Sequence, residues 1–288
     1  MTKTDVAILR IQSAYDMARQ MGNELMCAYS GGKDSDVLLD LTIKSGVPFR
    51  AEHNHTTADA PQTVYHIREV FNELNVPCAV NMPNTSMWEL IVKNGMPPTR
   101  ITRYCCKELK ERKFENQHLL FGIRWAESNS RKKRGLHETI SAKVANRMIY
   151  ADENDDARKL TEICYAKNRV ATNPIIDWTD TDIWDYIRRN RLKMNPLYEM
   201  CFNRVGCIGC PMARKNAQMR GFAIFPQYKK MYLSAFERML NGIREKGLSV
   251  DKEWETPKAV FNWWINGKSY GQQFLFEEGQ EKGDRKDA

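Results

Sequence analysis

The sequence predicts an α/β protein built on a parallel sheet with helices on both faces. Short apolar runs that suit buried strands, such as residues 25–29 and 119–123, alternate with segments whose apolar residues recur at helical spacing. A glycine-rich turn stands directly between the first of these strands and the helix that follows it. Strands that alternate with helices form parallel β–α–β units, and their ligands bind at the carboxyl ends of the strands.

The individual elements follow from local signals. The predicted strands are 25–29, 47–53, 77–82 and 119–123, and the predicted helices are 6–21, 37–41, 60–74, 86–93, 107–114 and 179–189. Pro61 falls in the first turn of its helix, where the missing N–H costs nothing. Thr179 and Asp182 have the spacing of a capping box at the start of the last of these helices.

The chain divides by composition. We expect one domain over residues 1–225, with a mobile insertion at 131–156, where the sequence is polar, charged and weakly periodic. A helical C-terminal extension is predicted for 226–276, because apolar residues there recur at helical spacing. Residues 277–288 are charged and lack large apolar side chains, which predicts a disordered tail.

Length and composition exclude several classes of protein. At 288 residues the chain can bury a sizeable core, and 42% hydrophobic with 28% charged residues is ordinary for a globular protein. No apolar run is long enough to span a membrane, and the N-terminus lacks the apolar core of a signal peptide, so we expect a cytoplasmic protein without a membrane partner. The eight cysteines would then be reduced, which indicates metal binding or catalysis rather than disulfides.

The net charge of +8 suits a polyanionic partner such as nucleic acid. It would equally serve an anionic nucleotide or belong to a basic surface without a partner. The densest basic run is Arg131, Lys132, Lys133 and Arg134. This run could contact a nucleic-acid backbone, although a run of charges is more often a solvated loop.

A hexapeptide between the first strand and the next helix carries the strongest chemical signal. It consists of Ser30, Gly31, Gly32, Lys33, Asp34 and Ser35. Its glycines let backbone N–H groups approach an anion closely, and the start of a helix favours negative charge. Lys33 adds a positive charge, and the serines add hydroxyl donors. The spacing differs from that of the Walker-type loop. The hexapeptide predicts a phosphate-binding loop, and the alternative is a plain Gly-Gly turn.

Four of the cysteines form two pairs that are far apart in the chain. The pairs are Cys105 with Cys106 and Cys207 with Cys210. Zinc and an iron–sulfur cluster both accept four thiolates. Neighbouring side chains diverge, which suits a [4Fe–4S] cluster better than zinc, because each thiolate then binds a different iron. Zinc and the absence of a metal remain alternatives, and Cys201 could replace one ligand.

Several motifs together resemble the phosphoadenosine-phosphosulfate (PAPS) reductase-like family of the adenine nucleotide α-hydrolase superfamily. The hexapeptide is similar to the PP-loop of N-type ATP pyrophosphatases, which split ATP between its α- and β-phosphates. The other matching segments are 57–63, 122–128 with Arg131, 173–178, 195–198 and 206–211. The resemblance implies a Rossmann-like sheet, an adenine nucleotide at the PP-loop and, as in the family's adenylyl-sulfate (APS) reductases, a [4Fe–4S] cluster on the paired cysteines.

Two departures distinguish the chain from the sulfonucleotide reductases of that family. Those reductases carry a nucleophilic cysteine near the C-terminus, whereas this sequence has none after Cys210. Their PP-loop is usually degenerate, because their nucleotide lacks β- and γ-phosphates, whereas the loop here is complete. Both departures favour ATP over PAPS or APS and point to a relative similar to the iron–sulfur ATP pyrophosphatase of DNA phosphorothioation.

The resemblance therefore implies a reaction in which Mg²⁺-ATP binds and an acceptor attacks the α-phosphate. Pyrophosphate leaves, and a sulfur donor then displaces AMP from the adenylated acceptor, for which nucleic acid is a candidate. One alternative is a sulfonucleotide reductase that releases sulfite, with its thiol supplied by a partner, such as a thiol reductant, or by an internal cysteine. Another is a non-catalytic subunit that binds nucleotide or nucleic acid.

The candidate site residues follow from these motifs, each with an alternative. Lys33 would neutralise the departing pyrophosphate. Asp34 would orient Mg²⁺ or cap the helix, and Asp59 would help to hold the metal or cap a turn. Arg124 and Arg131 would clamp phosphate or sulfate oxygens, or form surface ion pairs. The hexapeptide, Asp59, Gly122 and Arg124 form the predicted nucleotide site.

Overall fold

A computed structural model describes residues 1–110, 117–129, 131–140 and 169–266. The chain forms two compact units, and each of them contains several segments of the sequence. The first unit consists of Met1–Asn54, Pro61–Asn81 and Lys113–Val205. The second unit consists of His55–Ala60, Met82–Arg112 and Gly206–Ala288.

The first unit is built on a mostly parallel sheet. In the described ranges its strands are β1 (Glu24–Ala28), β2 (Arg50–Asn54), β3 (Cys78–Asn81), β4 (Gln117–Leu120), β5 (His137–Ile140) and β6 (Arg169–Thr172). They lie in the order β3-β2-β1-β4-β6-β5, with every pair parallel except β5 and β6. The predicted α/β class with a parallel sheet is confirmed.

In the described part of the chain, helices connect these strands and make up most of the second unit. They are α1 (Lys3–Gln20), α2 (Lys33–Lys44), α3 (Pro61–Glu73), α4 (Met87–Asn94), α5 (Tyr104–Leu109), α6 (Asp180–Asn190), α7 (Lys215–Ile224), α8 (Pro226–Glu245) and α9 (Pro257–Asn266). Pro61 begins α3, as the sequence predicts. Thr179 caps α6 and forms the predicted capping box with Asp182.

The core of the first unit follows the two-residue period of a strand. Leu25 and Cys27 of β1 belong to a large buried cluster with residues of helices α1, α2, α3 and α6. Met26, between them, belongs to a separate cluster with Leu119 and Ala171 of the neighbouring parallel strands. Because side chains alternate along a strand, β1 contributes buried side chains to both clusters. The end of β1 and the loop that follows it are thereby anchored.

Aromatic rings form the core of the second unit. Tyr232 of α8 lies 4.6 Å from Trp264 of α9 and 4.8 Å from Trp88 of α4, measured between ring centroids. Trp254 and Trp263 pack edge to face at 5.0 Å. This packing confirms the expected helical C-terminal region.

Several details differ from the sequence-based expectations. Helix α5 covers Tyr104–Leu109 instead of 107–114, and residues 111–116 lie outside the described part of the chain. Strands β5 and β6 are additions to the predicted set. Within the predicted insertion 131–156, residues 131–140 form a 3-10 turn and strand β5, and residues 141–156 lie outside the described ranges.

The remaining expectations about organisation stay predictions. The domain limits at 225 and 276 and the mobility of 131–156 are untested, and the tail 277–288 is outside the described residues. No helix in the described ranges has the length and apolar character needed to cross a membrane.

Candidate functional site

The hexapeptide forms the turn between β1 and α2, and its last serine holds the turn closed. Ser35 Oγ accepts hydrogen bonds from the backbone N–H groups of Ser30 (3.2 Å) and Gly32 (3.1 Å) and donates to Gly32 O at 2.8 Å. Gly31 has φ +68°, and a Cβ there would lie 2.9 Å from Ile67. The turn therefore needs glycine at position 31 for its backbone conformation and for space.

A second glycine brings the end of β4 against this turn. A Cβ on Gly122 would lie 2.9 Å from the backbone oxygen of Asp34 and 3.1 Å from its carbonyl carbon. Backbone atoms cannot move aside as a flexible side chain can. Gly122 thus contributes to the site by allowing close approach of two backbone segments.

The segment 195–198 holds the turn from another direction. Asn195 Nδ2 donates to Gly31 O at 2.8 Å, and Asn195 is fully buried. Tyr198 Oη accepts the backbone N–H of Lys33 at 2.8 Å. Burial is the main cause that raises the pKa of the Tyr198 phenol. Its neutral hydroxyl is therefore a ready hydrogen-bond donor beside the start of α2.

Two basic and two acidic side chains meet at this turn. Arg124, only 1% exposed, donates from Nε to Asp34 Oδ1 at 2.7 Å and from Nη2 to Asp180 Oδ1 at 2.8 Å. Its Nη1 donates to Trp178 O at 3.2 Å. Lys33 Nζ lies 3.0 Å from Asp34 Oδ2 and 3.4 Å from Asp180 Oδ1. The four charges form one network, which we call the Asp34–Asp180 network.

The electrostatics favour the charged forms of Asp180 and Arg124. Burial alone would raise the pKa of Asp180, but Arg124 and Lys33 outweigh it, and the pKa is lowered. Burial alone would likewise lower the pKa of Arg124, but Asp34 and Asp180 raise it. Asp34 and Asp180 keep 23% and 65% of their side chains exposed. Two fixed and accessible carboxylates can bind a hard divalent cation.

Other predicted residues lie elsewhere. Arg131 pairs with Glu127, four positions earlier in the chain. Asp177 forms a bidentate ion pair with Arg10 at 2.8 and 3.1 Å. Asp59 belongs to the second unit, where its Oδ2 accepts the N–H of Thr56 at 2.7 Å. The predicted roles of Arg131 and Asp59 at a nucleotide stay predictions.

The four paired cysteines all line one cavity of the second unit, which we call the cysteine cavity. Its volume is about 410 Å³, including the solvent at its mouth. Cys105, Cys106, Cys207 and Cys210 line it, together with Arg103, Lys110, Thr56 and Tyr232. Cys164 lies outside the described residues. Folding therefore joins pairs that are far apart in the sequence.

Local structure fixes the second pair. Gly209 has φ +75°, and a Cβ there would lie 2.7 Å from Phe222 and 2.9 Å from Trp264 and Tyr232. Ile208 N–H donates to Ala58 O at 2.8 Å. Gln218 Nε2 donates to Cys210 O at 2.8 Å. The turn between Cys207 and Cys210 thus has one backbone conformation, and glycine is the residue that fits it.

The thiols interact with one another and with one lysine. Burial raises the pKa of Cys207 to about 11, while Lys110 opposes that shift. A hydrogen bond with Cys106 and burial raise the pKa of Cys105. Four thiols on one cavity are the donor set of a four-sulfur site. No group of three or more His, Cys, Asp or Glu side chains in the described ranges is arranged to hold a metal ion directly, so the cluster stays a prediction.

Sequence reasoning assigned no role to Asp180, Asn195, Tyr198 or Lys110. Asn195 and Tyr198 lie in the segment 195–198, which matches a family motif, and this match is the sequence feature that points to them. Asp180 follows the N-cap Thr179, so a capping signal was visible, whereas its contact with Arg124 was not.

Comparison with known proteins identifies related sequences. The family model of the phosphoadenosine phosphosulfate reductase domain matches residues 24–213. An uncharacterized protein of Methanocaldococcus jannaschii is 26% identical over 249 residues, which cover 84% of this chain and 53% of that protein. An adenosine 5'-phosphosulfate reductase of Lysinibacillus sphaericus is 24% identical over 202 residues, 67% of this chain and 75% of that enzyme. The chain spans about half the length of its two M. jannaschii relatives.

Solved structures with distant similarity include a phosphoadenylyl-sulfate reductase from Candida auris. It has a TM-score of 0.45 and 17% identity, and the match covers 68% of this chain and 87% of that one. A U34-tRNA thiolase from Methanococcus maripaludis, solved with its [4Fe-4S] cluster, has a TM-score of 0.38 and 12% identity. The match covers 84% of this chain and 82% of the thiolase chain.

Proposed function

The chain belongs to the phosphoadenosine phosphosulfate reductase domain family, and from this premise we propose that it cleaves ATP between the α- and β-phosphates. The cleavage activates an acceptor for sulfur transfer. Named relatives of the chain are enzymes that act on adenine sulfonucleotides. The proposal keeps the nucleotide site of such a domain and assigns it a substrate that carries a pyrophosphate.

The Asp34–Asp180 network is the observation that carries this proposal. Asp34 and Asp180 lie beside the phosphate-binding turn and keep 23% and 65% of their side chains exposed, so a divalent cation bound to them would lie between the carboxylates and the phosphates. Mg²⁺ bound to the β- and γ-phosphates is such a cation. A sulfonucleotide lacks that pair of phosphates, so it would not bring a Mg²⁺ ion to these carboxylates in this way. The network therefore supports Mg²⁺-ATP as the substrate.

The described residues divide the work of the reaction. The turn 30–35 offers backbone N–H groups to the phosphates, and Lys33 offsets charge on the leaving group. An acceptor hydroxyl oxygen bonds to the α-phosphorus as the bond to the bridging oxygen breaks. The hydroxyl proton is released, and pyrophosphate leaves with the bonding electrons. The sulfur of a donor then displaces AMP from the acceptor.

The cysteine cavity fits a [4Fe–4S] cluster by its donors. Cys105, Cys106, Cys207 and Cys210 would hold the cluster, which supplies electron-transfer chemistry when it is bound. Arg103 and Lys110 line the same cavity. Their positive charges would offset the negative charge of four thiolates.

A sulfonucleotide reductase is the second candidate. The similarity to an adenosine 5'-phosphosulfate reductase over 67% of the chain favours it. Attack on the sulfonate needs a thiolate, and the sequence has no cysteine after Cys210. Within this sequence the thiolate of this candidate would come from Cys27, Cys78, Cys164 or Cys201, and otherwise from a partner.

The experiment that tests the proposal compares two lysines of helix α2. Lys33→Ala should lower pyrophosphate release from Mg²⁺-ATP at least about 100-fold, as expected when a group that stabilises developing charge is lost. Lys44→Ala is the control, because Lys44 sits at the other end of the helix on Asp40 and Asn190. Equal pyrophosphate release by the parent protein and Lys33→Ala would contradict the proposal.

A further inference from the structure

One tryptophan beside the nucleotide site is held rigidly and yet remains exposed. Trp125 keeps 41% of its surface in solvent. Its Nε1–H donates to Arg134 O at 2.8 Å, and its backbone N–H donates to Ile176 O, also at 2.8 Å. The indole is therefore held through Nε1 and the backbone through its N–H, while part of the apolar surface of the ring stays open. A large aromatic surface left in water in this way is available for stacking.

The basic run next to this tryptophan separates into two kinds of residue. Arg131 pairs with Glu127, and Arg134 pairs with Glu138 through both carboxylate oxygens. Lys132 and Lys133 lie between them in a 3-10 turn and are exposed, with no ion pair to any side chain in the described ranges. The two arginines thus hold the segment in place, and the two lysines present its charge.

We propose that Trp125, Lys132 and Lys133 form a surface that binds a single strand of nucleic acid. One base stacks on the indole, and the two ammonium groups contact successive phosphates. We call these three residues the Trp125 surface. Stacking on an aromatic side chain together with cations that follow the backbone is the usual way in which proteins bind single strands.

The position of the surface connects it with the proposed reaction. Trp125 directly follows Arg124, whose guanidinium contacts both Asp34 and Asp180. Consecutive Cα atoms are about 3.8 Å apart, so the Trp125 surface begins one residue away from the Asp34–Asp180 network. The inference deepens the proposed function, on which this step rests, because it names single-stranded nucleic acid as the class of acceptor.

The arrangement favours a single strand over other anionic partners. A duplex hides the faces of its bases, so an indole on the surface has nothing to stack on. An acidic peptide would use the lysines and leave the indole without a partner. Only an extended strand offers flat bases and regularly spaced phosphates together. The net charge of +8 on the whole chain adds attraction for any nucleic acid.

The test measures binding of fluorescein-labelled 12-nucleotide RNA and DNA strands by anisotropy, without ATP. Trp125→Ala should weaken binding at least about 5-fold, the lower end expected for one lost base stack. Trp125→Phe, which keeps an aromatic face, should retain most of the affinity. Lys132→Gln/Lys133→Gln should reduce the slope of log K against log salt by about 1.4, because two phosphate contacts are lost. Lys246→Gln/Lys258→Gln changes two exposed lysines of the second unit and should leave the slope unchanged.

Three outcomes would overturn the inference. These outcomes are no binding of either strand, tighter binding of a DNA duplex, and equal affinity of Trp125→Ala and the parent protein. The difference in affinity between the RNA strand and the DNA strand shows which of the two nucleic acids the surface prefers. Because the assay contains no ATP, a failure of ATP cleavage leaves the result intact. Conversely, if the protein binds no strand, the proposed ATP cleavage is still tested separately by the pyrophosphate release of Lys33→Ala.

Discussion

Arg124 Nη2 donates to Asp180 Oδ1 at 2.8 Å, which joins the segment after strand β4 to the first turn of helix α6. The same guanidinium holds Asp34 at the start of helix α2. Arg124 is buried, whereas most of the Asp180 side chain is in solvent. A buried cation thus fixes the position of an accessible carboxylate, as a metal ligand requires.

Asp180→Asn should weaken the binding of Mg²⁺ that accompanies ATP. The amide keeps the shape of the side chain but loses the charge that attracts the cation. We expect the Mg²⁺ concentration for half-maximal pyrophosphate release to rise at least about 10-fold. Asp185→Asn on the same helix is the control, because Asp185 pairs with the exposed Arg188. If Asp180→Asn showed the same Mg²⁺ dependence as the parent protein, Asp180 would not be a ligand of the metal.

Gly122→Ala should destabilise the protein and disturb the PP-loop. Its Cβ would lie 2.9 Å from the Asp34 backbone oxygen, so one of the two segments must shift. Overpacking of this kind costs about 1–3 kcal/mol of unfolding free energy. Gly242→Ala, in helix α8 with nothing within 4 Å of the new Cβ, should be neutral or stabilising. Urea unfolding measures both, and equal midpoints for the two variants would contradict the close approach.

His118 should make the protein sensitive to mild acid. Burial lowers its pKa from 6.5 to about 3, with a smaller contribution from His137. Between these pH values the unfolded chain binds a proton that the folded protein does not. The free energy of unfolding therefore falls as pH falls through this window, by at most about 1.4 kcal/mol per pH unit.

The variant His118→Gln removes this titration. Its unfolding free energy, measured in urea from pH 7.5 to 4.5, should depend less steeply on pH than that of the parent protein. A parent-like slope in His118→Gln would show that another group causes the acid sensitivity.

Cys207→Ser should lose iron if the cysteine cavity holds the cluster. Protein purified without oxygen is expected to contain about four irons per chain. Cys78→Ser is the matched control, because Cys78 lies in strand β3 and outside the cavity. Iron and absorbance are measured for both. Full iron content in Cys207→Ser would refute its assignment as a ligand.

Features determined by neighbouring residues could be predicted from the sequence. The loop between β1 and α2, the start of α3 at Pro61 and the capping box of Thr179 with Asp182 all depend on contacts within a few positions. The grouping of the four cysteines was predicted from the chemistry of thiolates, and the structure places all four on one cavity. Which metal group these thiols bind is a separate question, because zinc and a [4Fe–4S] cluster both accept four thiolates.

The contacts that complete the nucleotide site could not be predicted in this way. Arg124 meets Asp180 across 56 positions, and Lys33 meets Tyr198 across 165. Such pairs depend on which strands are adjacent, and no local pattern carries that information. Strand β5 was missed for a related reason, since it is a short, polar edge strand that forms only by pairing with β6.

Product analysis with three nucleotides tests the central claim most directly. The same anaerobically purified protein is given Mg²⁺-ATP, PAPS or APS, the latter two with a thiol reductant, and pyrophosphate and sulfite are quantified. With water in the place of the acceptor at the α-phosphorus, we predict AMP and pyrophosphate from ATP in equal amounts, and no sulfite from either sulfonucleotide. Sulfite from PAPS or APS, with no pyrophosphate from ATP, would contradict the account and identify a sulfonucleotide reductase.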